Sequence, residues 1–153
     1  MALFLVQHGK SLSKDLGPEK GLSEEGEKEV RLIANVAKTY HIDIDEIKHS
    51  GKKRARQTAE IFYAITGSRN GVSEMTGLNP MDSIIPIADS IISKNNLMIV
   101  GHLPFMERLT AYLTCGNPDV IVFKFQNGGI VCLDQLPDPS GWVIKWALMP
   151  DIK

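Results

Sequence analysis

The chain has 153 residues, of which 43% are hydrophobic, and 17 basic side chains against 18 acidic ones give a formal net charge of −1. That length and apolar content predict one domain spanning residues 1–153 with a sizeable core. The near-neutral balance excludes a global field that would recruit nucleic acid or a membrane surface, so any attraction for an anion must be local. No segment approaches the roughly 20 continuous apolar residues of a membrane span. Cys115 and Cys132 lie far apart and follow no metal spacing, which predicts free, buried thiols in a reducing cytoplasm. The chain enters its first strand without a charged leader, in keeping with that compartment.

In chain order, an apolar strand over Ala2 to Val6 leads into a polar loop with Gly17-Pro18. Ser23 then caps a helix whose first turn carries Glu24 and Glu25, favourable beside the positive end of the macrodipole. Val30, Ile33, Ala34, Ala37 and Tyr40 recur at helical spacing as its core face. His41 follows the end of that helix, where a cation meets the macrodipole favourably, and reads as structural. A second strand near Ile47 to Ser50 feeds a helix with Ala55, Ala59, Phe62 and Ile65 on its apolar side, ended by Gly67. Gly71 to Leu78 forms a short edge strand and loop. Ile84, Ile85, Ala88, Ile91 and Ile92 mark a further helix, near whose start Pro86 fits.

The strand Leu97 to Val100 precedes a helix with Met106, Leu109 and Leu113, with Pro104 at its first position and Gly116 at its close. Val120 to Phe125 and Ile130 to Leu136 read as strands joined by the hairpin signal Asn127-Gly128-Gly129. Trp142, Ile144, Trp146 and Leu148 alternate as a half-buried final strand. Helical and strand periods that alternate along one chain predict an α/β fold, a three-layer, mixed, mostly parallel sheet with helices on both faces.

Chemistry concentrates where apolar strands stop. Leu3 to Val6 end at Gln7-His8-Gly9-Lys10-Ser11, and Leu97 to Val100 end at Gly101-His102-Leu103-Pro104. The carboxyl ends of strands are where α/β sheets keep their ligand sites, and Gly9 lets the backbone approach a ligand closely. His102 lies near a helix start, whose N–H groups and dipole favour an anion. A third segment, His49-Ser50-Gly51-Lys52-Lys53-Arg54-Ala55-Arg56-Gln57-Thr58, loads cations into the first turns of a helix, against the macrodipole. A guanidinium fork aimed at a phosphoryl group accounts for them.

As a set, these segments closely resemble the histidine phosphatase superfamily and, within it, the small SixA-like phosphohistidine phosphatases. That family carries an Arg-His-Gly motif after the first strand, a Leu-Ser/Thr-x-x-Gly segment opening the first helix, a Ser-x-x-x-Arg-Ala-x-Gln-Thr segment and a late Gly/Ser-His. The counterparts are Gln7-His8-Gly9, Leu22-Ser23-Glu24-Glu25-Gly26, Ser50 through Thr58 with Arg54, and Gly101-His102. They cover most of the chain in the right order. Gln7 stands where the family has an arginine, so one guanidinium is missing, and Gly51 replaces a common proline.

The resemblance implies a phosphoglycerate mutase-like sheet and phosphoryl transfer through a covalent phosphohistidine on His8, with Arg54 and His102 as catalytic partners. Gln7, Gly9, Lys10 and Ser11 would bind phosphate. It implies no metal, since a guanidinium is not a ligand, and no cofactor. The expected partner is a phosphohistidine-bearing protein, as in signalling, or a small phosphorylated substrate, with no nucleic acid and no membrane. Among Glu74, Asn79 and Asp82, Asp82 is the candidate general acid, with a helix-capping role as its structural alternative. His49 reads as a support beside the site. Ser11 and Ser50 show no Ser-His-Asp arrangement, which disfavours a serine hydrolase. The competing readings are an impaired phosphate or phosphohistidine-binding module, marked by Gln7, and a small-molecule phosphomonoesterase. A phosphosugar mutase is disfavoured because the chain lacks room for a capping insertion.

Overall fold

The computed structural model describes residues 2–91, 95–137 and 141–153. In chain order its elements are β1 (Ala2–Gln7), α1 (Glu24–Thr39), β2 (Glu46–His49), α2 (Lys53–Thr66), β3 (Val72–Glu74), α3 (Ile85–Ser90), β4 (Leu97–Gly101), α4 (Phe105–Cys115), β5 (Ile130–Gln135) and β6 (Trp142–Leu148). The strands form one sheet in the order β3-β2-β4-β1-β5-β6. Neighbours from β3 through β1 run parallel, whereas β5 and β6 are added antiparallel. This is the expected mixed, mostly parallel α/β sheet.

Strand side chains alternate between faces, and β1 shows the consequence. Phe4 and Val6 pack in one cluster with Val30, Ile33 and Ala34 of α1 and Ala55, Ala59 and Phe62 of α2. Leu3 and Leu5 pack in the other with Ile87 of α3 and Phe105, Met106 and Leu109 of α4. Helices therefore cover both faces. Among the described residues no helix is long and apolar enough to cross a membrane.

Local signals set several boundaries. The Ser23 hydroxyl accepts the Gly26 N–H at 3.0 Å and opens α1, and Gly116 takes the left-handed conformation that closes α4. Pro104 sits just ahead of α4, one position before the expected place.

Other expectations are corrected. Val120 to Phe125 is not a strand: residues 121–126 lie outside any helix or strand. β5 is already paired with β1 on one side and β6 on the other, which leaves no edge for a hairpin partner. Tyr40 falls off the α1 stripe and is exposed, because α1 ends at Thr39. The helix expected over Ile84 to Ile92 is shorter, ending at Ser90, and Ile92 lies outside the described residues. Of the two free thiols only Cys132 is buried, while Cys115 at the end of α4 is exposed.

Candidate active site

Because β2, β4 and β1 are adjacent and parallel, their carboxyl ends share one edge of the sheet. Ser50 follows β2, His102 follows β4 and His8 follows β1, so three neighbouring strands each deliver a polar side chain to that edge. The His8 N–H donates to the Gly101 carbonyl at 3.0 Å, locking the two strand ends together. The imidazole centroids of His8 and His102 lie 5.0 Å apart. Arg54, in the first turn of α2, donates from Nε to His8 Nε2 at 3.4 Å. The structure thus brings His8, Arg54 and His102 into one cluster.

A hydrogen bond fixes the state of the His8 ring. His8 Nδ1 lies 2.7 Å from the Gly9 carbonyl; a carbonyl only accepts, so the proton is on Nδ1, and the Nε2 lone pair is the one that accepts from Arg54. Burial, opposed by the Gly9 bond and reinforced by the Arg54 charge, pushes the His8 pKa down to about 4. His102 is 1% exposed, and burial, followed by the charges of His8, Arg54 and Lys52, takes its pKa down to about 3. Both rings are neutral at physiological pH. Ser50 Oγ lies 2.6 Å from His102 Nε2 and accepts the Lys52 N–H at 3.3 Å. The His102 Nδ1 is buried and has no partner among the described residues, so no carboxylate completes a Ser-His-Asp relay. Burial also lowers the pKa of Arg54.

The surrounding motifs hold this cluster in place. Gly9 packs against α1: a Cβ there would meet Val30 Cγ2 at 2.7 Å, and its N–H is taken by Thr58 Oγ1 at 3.0 Å. Thr58 also bonds the Arg54 carbonyl at 2.8 Å, so one hydroxyl ties the His8 loop to the helix carrying Arg54. Gly26 is required because a Cβ would fall 2.1 Å from the Lys10 carbonyl. Gln57 Oε1 accepts the Leu22 N–H at 2.7 Å, joining α2 to the entry of α1. From the opposite side, Asn127 Nδ2 donates to the His8 carbonyl at 2.9 Å and the Gly128 N–H to the Gln7 carbonyl at 2.9 Å. The sequence marked Asn127-Gly128 only as a turn; nothing in it says which backbone the turn grips. His49 is buried, and its Nδ1 accepts the Gly51 N–H at 3.0 Å, bracing the turn that carries Ser50. Gly51 has φ of +89° and a Cβ there would strike the Glu74 carboxylate, so the family's proline cannot sit here.

The other expected residues are spread more widely. Gln7 ends β1 beside His8 and is 9% exposed, and its Oε1 has no partner among the described residues. Lys10 is held away by Glu25 at 2.9 Å and Glu29 at 3.4 Å, which raise its pKa. Ser11 bridges to Leu22 and lines an open cleft of about 500 Å³ with Lys10, Ser23 and Asn127. Asp82 Oδ2 accepts the Asn79 N–H at 2.9 Å, which makes it a turn-closing residue; it lines a separate cleft with Pro104 and Glu107. His41 is exposed, with φ of +55° at the turn after α1.

No protein-family model and no curated protein matches the sequence. Among solved structures, the protein histidine phosphatase SixA complexed with tungstate is similar at a TM-score of 0.81 and 21% identity, over 98% of this chain and 97% of that one. A protein assigned as the phosphohistidine phosphatase SixA of Agrobacterium tumefaciens has a TM-score of 0.78 and 23% identity, over 97% of each chain. A phosphoserine phosphatase from Entamoeba histolytica in complex with 3-phosphoglyceric acid has a TM-score of 0.70 and 16% identity, over 95% of each chain. The fold of this chain is therefore the phosphoglycerate mutase-like α/β fold that it shares with these SixA structures.

Proposed function

We propose that the chain is a phosphatase that works through a phosphohistidine on His8, with phosphohistidine of a partner protein as its substrate. The observation that supports this most is the His8 tautomer: Nδ1–H is spent on the Gly9 carbonyl while Nε2 presents its lone pair beside Arg54 and His102. A neutral, oriented imidazole is what nucleophilic attack on phosphorus requires. In the first step the His8 Nε2–P bond forms as the P–N bond to the substrate imidazole breaks, and that imidazole leaves with its electron pair and takes a proton. Arg54, with His102 beside it, stabilises the equatorial phosphoryl oxygens, the electrostatic task that dominates such reactions. Water then attacks phosphorus, releasing phosphate and restoring His8.

A nitrogen leaving group suits the site because an imidazole departs neutral once protonated, unlike an alkoxide. Asp82, the expected acid, accepts the Asn79 N–H at Oδ2, and no hydrogen bond joins it to the three central residues among the described residues. The second reading, an impaired binding module, is favoured by the neutral amide of Gln7 beside a single central guanidinium. One experiment separates the two: incubation with a phosphorylated histidine-containing protein and with p-nitrophenyl phosphate, followed by phosphate release and isolation of the protein. A phosphatase gives turnover and a label that survives alkali, is lost in acid and is absent from His8→Ala. Reversible, Arg54-dependent phosphate binding with no label from either substrate would overturn the enzymatic reading.

A further inference from the structure

The segment after β6 is tied to the candidate nucleophile through one short turn. Gln126 Nε2 donates to the Asp151 carbonyl at 2.6 Å, and the Asp151 N–H donates back to Gln126 Oε1 at 2.9 Å. One side-chain amide thus satisfies both backbone groups of a residue beyond the last strand, and the two bonds together fix which way the amide is turned. On the next residue, Asn127 Nδ2 donates to the His8 carbonyl at 2.9 Å, and the Gly128 N–H reaches the same oxygen at 3.2 Å. The Gly129 N–H closes the turn on the Gln126 carbonyl at 3.0 Å, and a Cβ on Gly129 would strike the Met149 thioether.

The oxygen gripped by Asn127 belongs to the peptide that joins His8 to Gly9, and the N–H of that peptide is held from the other side by Thr58. A peptide is planar, so bonds at both of its ends fix its orientation and with it the direction in which the chain leaves His8. The next carbonyl along, that of Gly9, is the one that keeps the proton on His8 Nδ1. Resting on His8 as the nucleophile of the phosphatase reading above, we propose that Asn127 is a positioning residue for the His8 ring, itself held by the clasp of Gln126 on the backbone of Asp151. The segment after β6 thereby bears on the reacting nitrogen at second hand.

Kinetics with phosphoramidate, a minimal P–N substrate, and nitrogen NMR of the imidazoles test this. Asn127→Asp keeps the shape but can only accept. It is expected to lower kcat by about tenfold or more with KM within about twofold, since misplacing a reacting group costs rate. In its His8 ring part of the proton is expected to move from Nδ1 to Nε2, a signal that loss of stability alone does not produce. Gln126→Ala and a chain ended after Met149 are each expected to lower kcat by about threefold, and the two changes combined by no more than either alone, because both remove the same clasp. An unchanged kcat with the His8 proton wholly on Nδ1 in folded Asn127→Asp overturns the inference. So does turnover at the unaltered rate in both Gln126→Ala and the shortened chain, the arm that decides should Asn127→Asp not fold. Effects that multiply in the combined variant overturn the clasp. No turnover by the unaltered protein, with the His8 proton displaced in Asn127→Asp, overturns the phosphatase reading and supports the positioning.

Discussion

At the scale of single residues, the ionisation of His8 and His102 ties the site to the stability of the protein. Their pKa values of about 4 and about 3 lie below the 6.5 of an unperturbed histidine. Between pH 6.5 and about 4 the unfolded chain binds protons that the folded chain refuses, so these groups lower stability as pH falls through that window and have no effect above it. His49, lowered chiefly by burial, adds the same sign. The urea midpoint is therefore expected to drop between about pH 7 and about pH 5, and to drop less in His102→Asn, because asparagine has no proton to bind. A midpoint that holds or rises on acidification would contradict the burial of neutral rings. His8, Arg54 and His102 were legible in the sequence because each follows an apolar run or opens the helix after one. The fate of Lys10 was not, since Glu25 and Glu29 reach it only once α1 packs beside the loop.

At the scale of elements, the site depends on how helices are joined to strand ends rather than on the helices alone. Thr58 is fully buried, and its hydroxyl accepts the Gly9 N–H while donating to the Arg54 carbonyl. Thr58→Val keeps the shape and strands the Gly9 N–H, so a loss of about 1–3 kcal/mol is expected by denaturant titration, with slower turnover because His8 and Arg54 lose their common tie. Stability unchanged within about 0.5 kcal/mol would show that the hydroxyl carries no such role. The capping of α1 by Ser23 and the stop at Gly116 were legible because they rest on neighbouring residues alone. Asn127-Gly128 was misread as a hairpin for the converse reason: turn chemistry is local, and its partners, the Gln7 and His8 carbonyls, are distant in sequence.

For the molecule as a whole, the sheet divides the interior into two clusters of apolar side chains, one under α1 and α2 and one under α3 and α4. Phe62, fully buried between α2 and the sheet, is expected to cost about 3–5 kcal/mol as Phe62→Ala, whereas Ile152→Ala, at an exposed position beyond the last strand, is expected to stay within about 0.5 kcal/mol. Chemical denaturation of the two variants checks the pair, and similar effects at both sites would refute the assignment of the core. Periodicity made the α/β class legible, since it records which side of each element is covered. It left strand order unreadable, and with it the lack of a free edge on β5 that excludes a strand over 121–126. That same order governs how the protein is born. β1 is synthesised first, yet it sits between β4 and β5, whose residues emerge from the ribosome about ninety and about one hundred and thirty positions later. Until then the nascent chain carries His8 at the end of a strand with neither neighbour, so the His8 loop takes its shape only after β4 and β5 have been made.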